Sequence, residues 1–161
     1  MTKQPDNDDA SWGENSIKLK GRYFIYLYGP DGELKEERVG PNVVTTAGKE
    51  YLASFLNSAA AGASTFPARY LAIGTDATAE AVGNTALGTE SARHTGTVSY
   101  VSNQIYQVRA TFISGIGTGA IVEYGLLNTN TGGTLISRDT ESVINKAAGD
   151  TLTIVYQLTL S

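Results

Sequence analysis

The ten residues from Thr151 to Leu160 constrain the fold of this chain more than any other stretch. Its larger apolar side chains occupy every second position, at Leu152, Ile154, Tyr156, Leu158 and Leu160. Because side chains alternate across a β-strand, this spacing predicts a strand with one face in a core. Burial of five such side chains contributes roughly 1.5–3 kcal/mol each before conformational entropy is subtracted. We therefore expect the fold to depend on this strand.

The composition supports a β-protein. The chain has 161 residues, which fits one domain with a sizeable core. Its 18 glycines and its charged fraction of only 17% are typical of many strands joined by turns, and not of long helices.

Charge and cysteine content narrow the function. There is no cysteine, which excludes disulfides, thiolate catalysis and cysteine-ligated metal. The formal charge of −4 disfavours nucleic acid as the main partner. The sequence contains no apolar run of membrane-spanning length and no signal-peptide pattern, so we expect no membrane contact and synthesis in a cytoplasm.

Further strands follow from alternating apolar residues bounded by turn residues. The pattern predicts them at 22–28, 33–39, 69–74, 95–102, 104–113, 120–127, 134–138 and 142–145, with a long surface loop at 75–88. One helix is predicted from Thr46, as its N-cap, to Asn57, with Leu52, Phe55 and Leu56 on one face. The fold class is mainly β: an antiparallel β-sandwich or jelly-roll-like barrel with one short α-helix and a flexible N-terminal arm.

The arm comprises residues 1–15 and precedes a single domain at 16–161. It is acidic and has no periodicity, yet it holds the only tryptophan, Trp12. Two alternatives stay open: Trp12 folds back onto the domain, or it anchors on a neighbouring subunit. Tyr23, Tyr26 and Tyr28 are further candidates for partner binding, because the strand at 22–28 is apolar or amphipathic on both faces. From this strand we predict self-association, with a homotrimer as the expected assembly.

Residues that could carry catalysis or bind a cofactor are sparse. His94 is the only histidine, and a surface role is expected for it. The glycines from Gly115 to Gly119 resemble a phosphate-binding loop only loosely, since a strand is predicted to follow them, so we expect a turn. We therefore predict no cofactor and no catalytic residue.

Acidic residues offer two further possibilities. Asp76, Glu80 and Glu90 flank one loop and could bind calcium, but they lack the alternating ligands of a calcium loop. Solvated carboxylates are the preferred interpretation, and no metal site is predicted. Glu123, Asp139 and Glu141 could form a carboxylate pair of the kind that hydrolyses glycosides, although spacing alone does not bring them together.

Several segments carry a resemblance to a known class of proteins. They are Val43–Gly48, Tyr70–Asp76, Asn84–Arg93, Ala120–Asn128, Gly132–Thr140, Ile144–Asn145 and Ala148–Tyr156. In this order they resemble small virion structural proteins of tailed bacteriophages, including capsid decoration (cement) proteins and some tail-associated proteins. The resemblance covers roughly residues 42–161. Glu141 departs from it, because the pattern has an aromatic residue there, which predicts a different environment at that edge.

The resemblance implies a function in assembly. Decoration proteins of this kind bind the outside of the shell, often as trimers, and bridge subunits of the major capsid protein. It therefore implies a non-enzymatic protein at the capsid surface of a virion, with the major capsid protein as its partner. Anything that binds only the assembled lattice stabilises that lattice by mass action.

Two alternatives belong to other classes. One is a tail, neck or fibre component that contacts a receptor or carbohydrate, which predicts few copies in each virion. The other is a carbohydrate-binding module or glycosidase fragment, which predicts binding or hydrolysis of glycans by the isolated protein.

Overall fold

A computed structural model describes residues 17–60, 68–102 and 104–161. These residues form nine strands and one helix: β1 Leu19–Tyr28, β2 Leu34–Val44, α1 Thr46–Ala60, β3 Tyr70–Gly74, β4 Glu90–Thr95, β5 Thr97–Ser102, β6 Ile105–Phe112, β7 Gly119–Leu127, β8 Leu135–Lys146 and β9 Thr151–Leu160. All strand pairs are antiparallel. The predicted arm at 1–15 lies outside the described residues.

The strands form two sheets that share β2 and nearly close into a barrel. The first sheet comprises β5, β6, β9, β1 and β2, and the second comprises β2, β8, β7, β3 and β4. The strand order is β4-β3-β7-β8-β2-β1-β9-β6-β5. Consecutive strands β4 and β5 lie at the two ends of this order, and only Gly96 separates them. The Gly96 N–H donates to the Arg69 carbonyl at 2.7 Å, and a Cβ at Gly96 would lie 2.4 Å from the Val108 side chain. Gly96 is therefore one corner of the barrel, which confirms the predicted sandwich or barrel class.

The second corner is in β2, where the two sheets separate. β2 pairs with β1 from Gly21↔Asn42 to Tyr28↔Leu34, and its described pairs with β8 are Val43↔Arg138 and Val44↔Ser137. In the described pairs, residues 34–42 of β2 therefore bond to β1 and to no strand on the other side. This agrees with the charged edge strand predicted at 33–39. We call the gap between β2 and β8 the seam.

The core confirms the predicted faces of β9. Leu152, Ile154, Tyr156 and Leu158 are all at most 3% exposed and belong to one cluster between the sheets. Leu160 is half-buried at the end of the strand. Since β9 lies between β1 and β6, its inner side chains meet apolar residues from both neighbours. The strand is a central element of the first sheet.

The helix starts from a different cap than predicted. Thr45, and not Thr46, caps α1: its Oγ1 accepts the Gly48 N–H at 2.9 Å and donates to the Leu135 carbonyl at 2.5 Å. Thr45 is fully buried, so the cap also fastens the helix to β8. The predicted apolar face is partly wrong, because Leu56 is 64% exposed.

Two strand predictions were wrong. The segments at 134–138 and 142–145 are one strand, β8, because a bulge opposite β7 lets the polar residues 139–141 stay in the sheet. β4 was missed because Glu90–Thr95 is a polar edge strand without apolar alternation.

Candidate functional site

A carboxylate is buried on the outer face of the second sheet. Glu123 of β7 is 0% exposed, although it lies in an otherwise apolar strand. Its Oε1 accepts backbone N–H groups of Asp76 at 3.2 Å and Thr89 at 2.7 Å, and its Oε2 accepts that of Gly88 at 2.9 Å. Three backbone donors from one loop therefore converge on a single side chain.

The charge of Glu123 is balanced by Arg138 of β8, which is 2% exposed. Arg138 donates from Nε and Nη2 to Oε2 of Glu123 at 3.1 and 2.9 Å. Its Nη1 donates to the Thr78 carbonyl at 2.9 Å, and Nη2 lies 3.7 Å from a carboxylate oxygen of Asp76. Each charge is thus paired and hydrogen-bonded, which a buried ion pair requires.

The pair fixes the loop at 75–89 on the sheet. Leu87 of this loop packs on Gly125 of β7, in a small cluster with Ala72, Leu127 and Leu135. A Cβ at Gly125 would lie 2.3 Å from Cδ1 of Leu87, so a larger residue there would displace the Leu87 side chain. The loop predicted at 75–88 is confirmed, and it is closely bound to the sheet beneath it. We call residues 75–89 the pinned loop.

The acidic residues in the pinned loop and just after it interact with other side chains of the same chain. Asp76 accepts hydrogen bonds from the N–H and hydroxyl groups of Thr78, which lower its pKa. Glu80 accepts one from the Thr140 hydroxyl, and Glu90 pairs with Arg93. Within the described residues, no group of three or more acidic or histidine side chains is placed to hold a metal ion.

Two carboxylates, those of Asp139 and Glu141, meet at the seam. A Cβ atom built on Gly40 of β2 would lie 2.1 Å from Oε1 of Glu141 and 3.4 Å from Oδ2 of Asp139. The two oxygens are therefore separated by no more than the sum, about 5.5 Å. Tyr124 lies directly opposite Asp139 on β7. We call these four residues the seam niche.

Within the described part of the chain, the seam niche holds polar atoms without hydrogen-bond partners. They are Oδ2 of Asp139, which is 2% exposed, and the hydroxyl of Tyr124, which is 0% exposed. Burial, with the charges of Glu141 and Glu80 added, raises the pKa of Asp139 to about 7. Burial likewise raises the pKa of Tyr124. Asp139 therefore exchanges its proton near neutral pH.

The seam niche suits a proton and not a sugar. The upper limit on the separation of its two carboxylate oxygens does not exceed the roughly 5–5.5 Å between the carboxyl groups of a retaining glycosidase. However, Asp139 is buried beneath its neighbours, and a Cβ on Gly40 would already collide with Glu141. A sugar ring would find no room between them. Glu141 fills this space with a half-buried charge.

The structure separates the predicted partner-binding residues. Tyr23 is 0% exposed, its hydroxyl lies 3.1 Å from that of Ser137, and its ring packs against Tyr156 at 5.1 Å. It belongs to the core, so the surface open to a partner does not include it. Tyr26 and Tyr28 lie half-buried on the outer face of β1. Trp12 lies outside the described residues.

The remaining candidates have structural surroundings. His94 is exposed, and its Nδ1 lies 3.0 Å from the Thr95 carbonyl, as a surface histidine was predicted to be. Gly115 and Gly117 have positive φ in the predicted turn, and Gly119, also with positive φ, is the first residue of β7. Within the three described ranges, no helix combines the length and apolar character that a membrane span needs.

Sequence reasoning missed Arg138 and grouped Glu123 with the wrong carboxylates. A signal was present for Glu123, since it is the one charged residue in β7; β8 contains four charged residues, so its sequence does not single out Arg138. Such residues need a buried partner.

Three comparisons with known proteins found no match: none among family models, none among curated proteins and none among solved structures.

Proposed function

We propose that this chain is a non-enzymatic structural protein of a tailed-bacteriophage virion, which binds the assembled capsid at its surface as a decoration protein. Its partner is the major capsid protein, and it acts by binding energy alone. The resemblance described from the sequence motivates the proposal, and one feature of the fold supports it.

That feature is the meeting of the resembling segments at one place. Tyr70–Asp76 and Asn84–Arg93 contribute the two ends of the pinned loop, Ala120–Asn128 contributes Glu123, and Gly132–Thr140 contributes Arg138. Four of the seven resembling segments thus contribute to a single network around a buried ion pair. Their role in this chain is to hold a surface loop in one conformation.

A pinned loop suits attachment to a large rigid surface. Ordering a mobile loop on binding costs free energy, roughly 0.5–1.5 kcal/mol for each immobilised side chain. Here the backbone is already held by Glu123 and Arg138, and Val82 at the loop's surface is 57% exposed. We therefore place the attachment surface on the pinned loop, with Val82 as an apolar contact.

Self-association is part of the proposal. Tyr26 and Tyr28 lie with Phe24 on the outer face of β1, and all three are half-buried. A trimer joined through this face would present three pinned loops to the shell, and linked contacts raise the overall affinity through effective concentration. Light scattering coupled to size exclusion should give three times the chain mass of 17.0 kDa.

The test is binding to shells assembled without this protein, prepared from the phage whose genome encodes it. Purified protein is added, the shells are sedimented, and the bound copies are counted by gel densitometry. We expect saturable binding at hundreds of copies per shell. Absence of binding at micromolar concentration would refute the proposal.

A matched pair of variants tests the surface. Val82→Asp should lower shell affinity at least tenfold, which corresponds to about 1.4 kcal/mol. Val98→Asp places the same charge on β5, at a valine that is 43% exposed, and should bind as the parent does. If both variants bind normally, the attachment surface is not the pinned loop.

The alternative is a tail, neck or fibre component that contacts a receptor or carbohydrate. Copy number separates it from decoration, since a handful of copies at one vertex or on the tail would replace hundreds on the shell. Density for the protein in a reconstruction of the particle would locate it directly.

A further inference from the structure

A cavity of about 470 Å³ opens where β1 starts, and none of its lining residues belongs to the ion pair or to the seam niche. This volume is within the roughly 300–1,000 Å³ of small-ligand pockets. Leu19, Pro41 and Ile105 give it an apolar wall, while Gln157 and Thr159 of β9 add polar groups. The cavity therefore fits a large side chain that is mainly apolar but carries a polar group.

The rim of the cavity is basic. Lys20 and Arg22 line it, and both are exposed. In the part of the chain that the structure describes, the ion pairs engage Lys35, Arg38, Arg93 and Arg138, and neither rim residue has a carboxylate partner. An aromatic residue flanked by acidic ones would complement this cavity in both shape and charge.

The first 16 residues of the chain have that composition. They contain Trp12, the only tryptophan, together with Asp6, Asp8, Asp9 and Glu14, against one lysine. Three of the four units of net negative charge of the whole chain thus lie in this segment. The rest of the chain is nearly neutral, so the basic rim is a local feature.

The described part of the chain begins close to the cavity. The Lys18 N–H donates to the Ser161 carbonyl at 2.6 Å and the Ser161 N–H donates to the Lys18 carbonyl at 3.0 Å, so the chain runs beside β9 from Lys18 onward. Leu19, the next residue, already lines the cavity. Gly13 and Asn15 are residues that favour a chain reversal. A reversal centred near residue 16 would bring Trp12 level with Lys20.

We propose that the cavity at the start of β1 is the docking site of the chain's own N-terminal segment, with Trp12 in the cavity and its acidic neighbours on Lys20 and Arg22. The indole packs against Leu19, Pro41 and Ile105, and its N–H lies among polar groups of β9. The guanidinium of Arg22 adds a cation–π contact at the rim. This inference does not depend on the proposed capsid function.

Fluorescence of the full-length protein tests the proposal, because Trp12 is the only tryptophan and reports on this site alone. Its emission maximum and its quenching by acrylamide are compared with those of a peptide of residues 1–16. We expect the protein to show blue-shifted emission and a severalfold lower quenching constant. Salt should raise the quenching constant towards that of the peptide, as screening weakens the charged contacts.

Two double variants make the result specific. Lys20→Glu with Arg22→Glu should raise the quenching constant to that of the peptide. Lys49→Glu with Arg69→Glu reverses two exposed charges elsewhere and should leave it unchanged. Circular dichroism melts establish that both variants are folded.

Three outcomes would overturn the proposal. The first is a parent protein whose tryptophan is quenched as readily as the peptide. The second is a protected tryptophan that the rim variant does not release. The third is protection that disappears on dilution, which would mean that the segment docks on a second copy of the chain.

Discussion

Replacing Asp139 by asparagine should stabilise this protein above neutral pH. Burial raises the pKa of Asp139 from 3.8 to about 7, with the charges of Glu141 and Glu80 contributing. A carboxyl group whose pKa is higher in the folded than in the unfolded state contributes its full stabilisation only below the unfolded pKa, which here is 3.8. That contribution falls as the pH rises through the folded pKa. The free energy of unfolding therefore falls between about pH 4 and pH 7 and stays at the lower value above pH 7.

The size of the effect follows from the shift in pKa. A tenfold change in proton affinity is worth about 1.36 kcal/mol, so raising the pKa from 3.8 to about 7 corresponds to about 4 kcal/mol. The effective dielectric response of the surrounding protein reduces this energy, and we expect about 2–4 kcal/mol. Asparagine has nearly the same shape as aspartic acid but stays uncharged, so the variant does not lose this energy at high pH.

The assay is denaturant unfolding at a series of pH values from about 4 to 8. Parent and Asp139→Asn should have similar free energies of unfolding at pH 4, and the variant should be the more stable at pH 8. Glu37→Gln removes an exposed carboxylate from β2 and should follow the parent. If Asp139→Asn is no more stable than the parent at pH 8, Asp139 does not carry a buried charge.

Three further substitutions test the core, the ion pair and the helix contact. Ile154→Ala should lower the free energy of unfolding by about 2–5 kcal/mol in denaturant melts, because Ile154 is 1% exposed; melts that overlay those of the parent would contradict the packing. Glu123→Gln should cost about 3–5 kcal/mol, since it leaves Arg138 buried without its counter-charge, and protease should then cut the pinned loop faster. Gly48→Ala should cost about 1–3 kcal/mol, because its Cβ would lie 2.2 Å from a backbone oxygen of β8. Gly83→Ala is its control, with open space around the added Cβ, and equal stability of the two variants would refute the clash.

Local patterns in the sequence were enough to place the strands that alternate cleanly. β9 has the predicted bounds and buried face. The predicted strands at 22–28 and 33–39 are joined by a turn in which the Gly32 N–H donates to the Gly29 carbonyl at 3.0 Å. Both features depend on neighbouring residues, through side-chain alternation and through the fixed φ of Pro30.

Features that depend on distant residues were not predictable in this way. Thr45 became the helix cap because β8 offers it a second hydrogen bond, 90 residues along the chain. Glu123 and Arg138 find each other only after β7 and β8 have paired. The seam niche needs β2 to diverge from β8 just where Gly40 leaves room for Glu141. Each is decided by tertiary contacts that spacing does not encode.

Gly96 has a consequence for the insertions and deletions that this chain can tolerate. Through this single residue, the register of β4 on β3 fixes the register of β5 on β6. Since successive side chains point to opposite faces, one residue added or lost at Gly96 would turn every side chain of one of these strands over. The turn at Gly29–Gly32 is not constrained in this way, because Pro30 and Asp31 are exposed. Related sequences should therefore vary in length at that turn and keep the spacing from β4 to β5 unchanged.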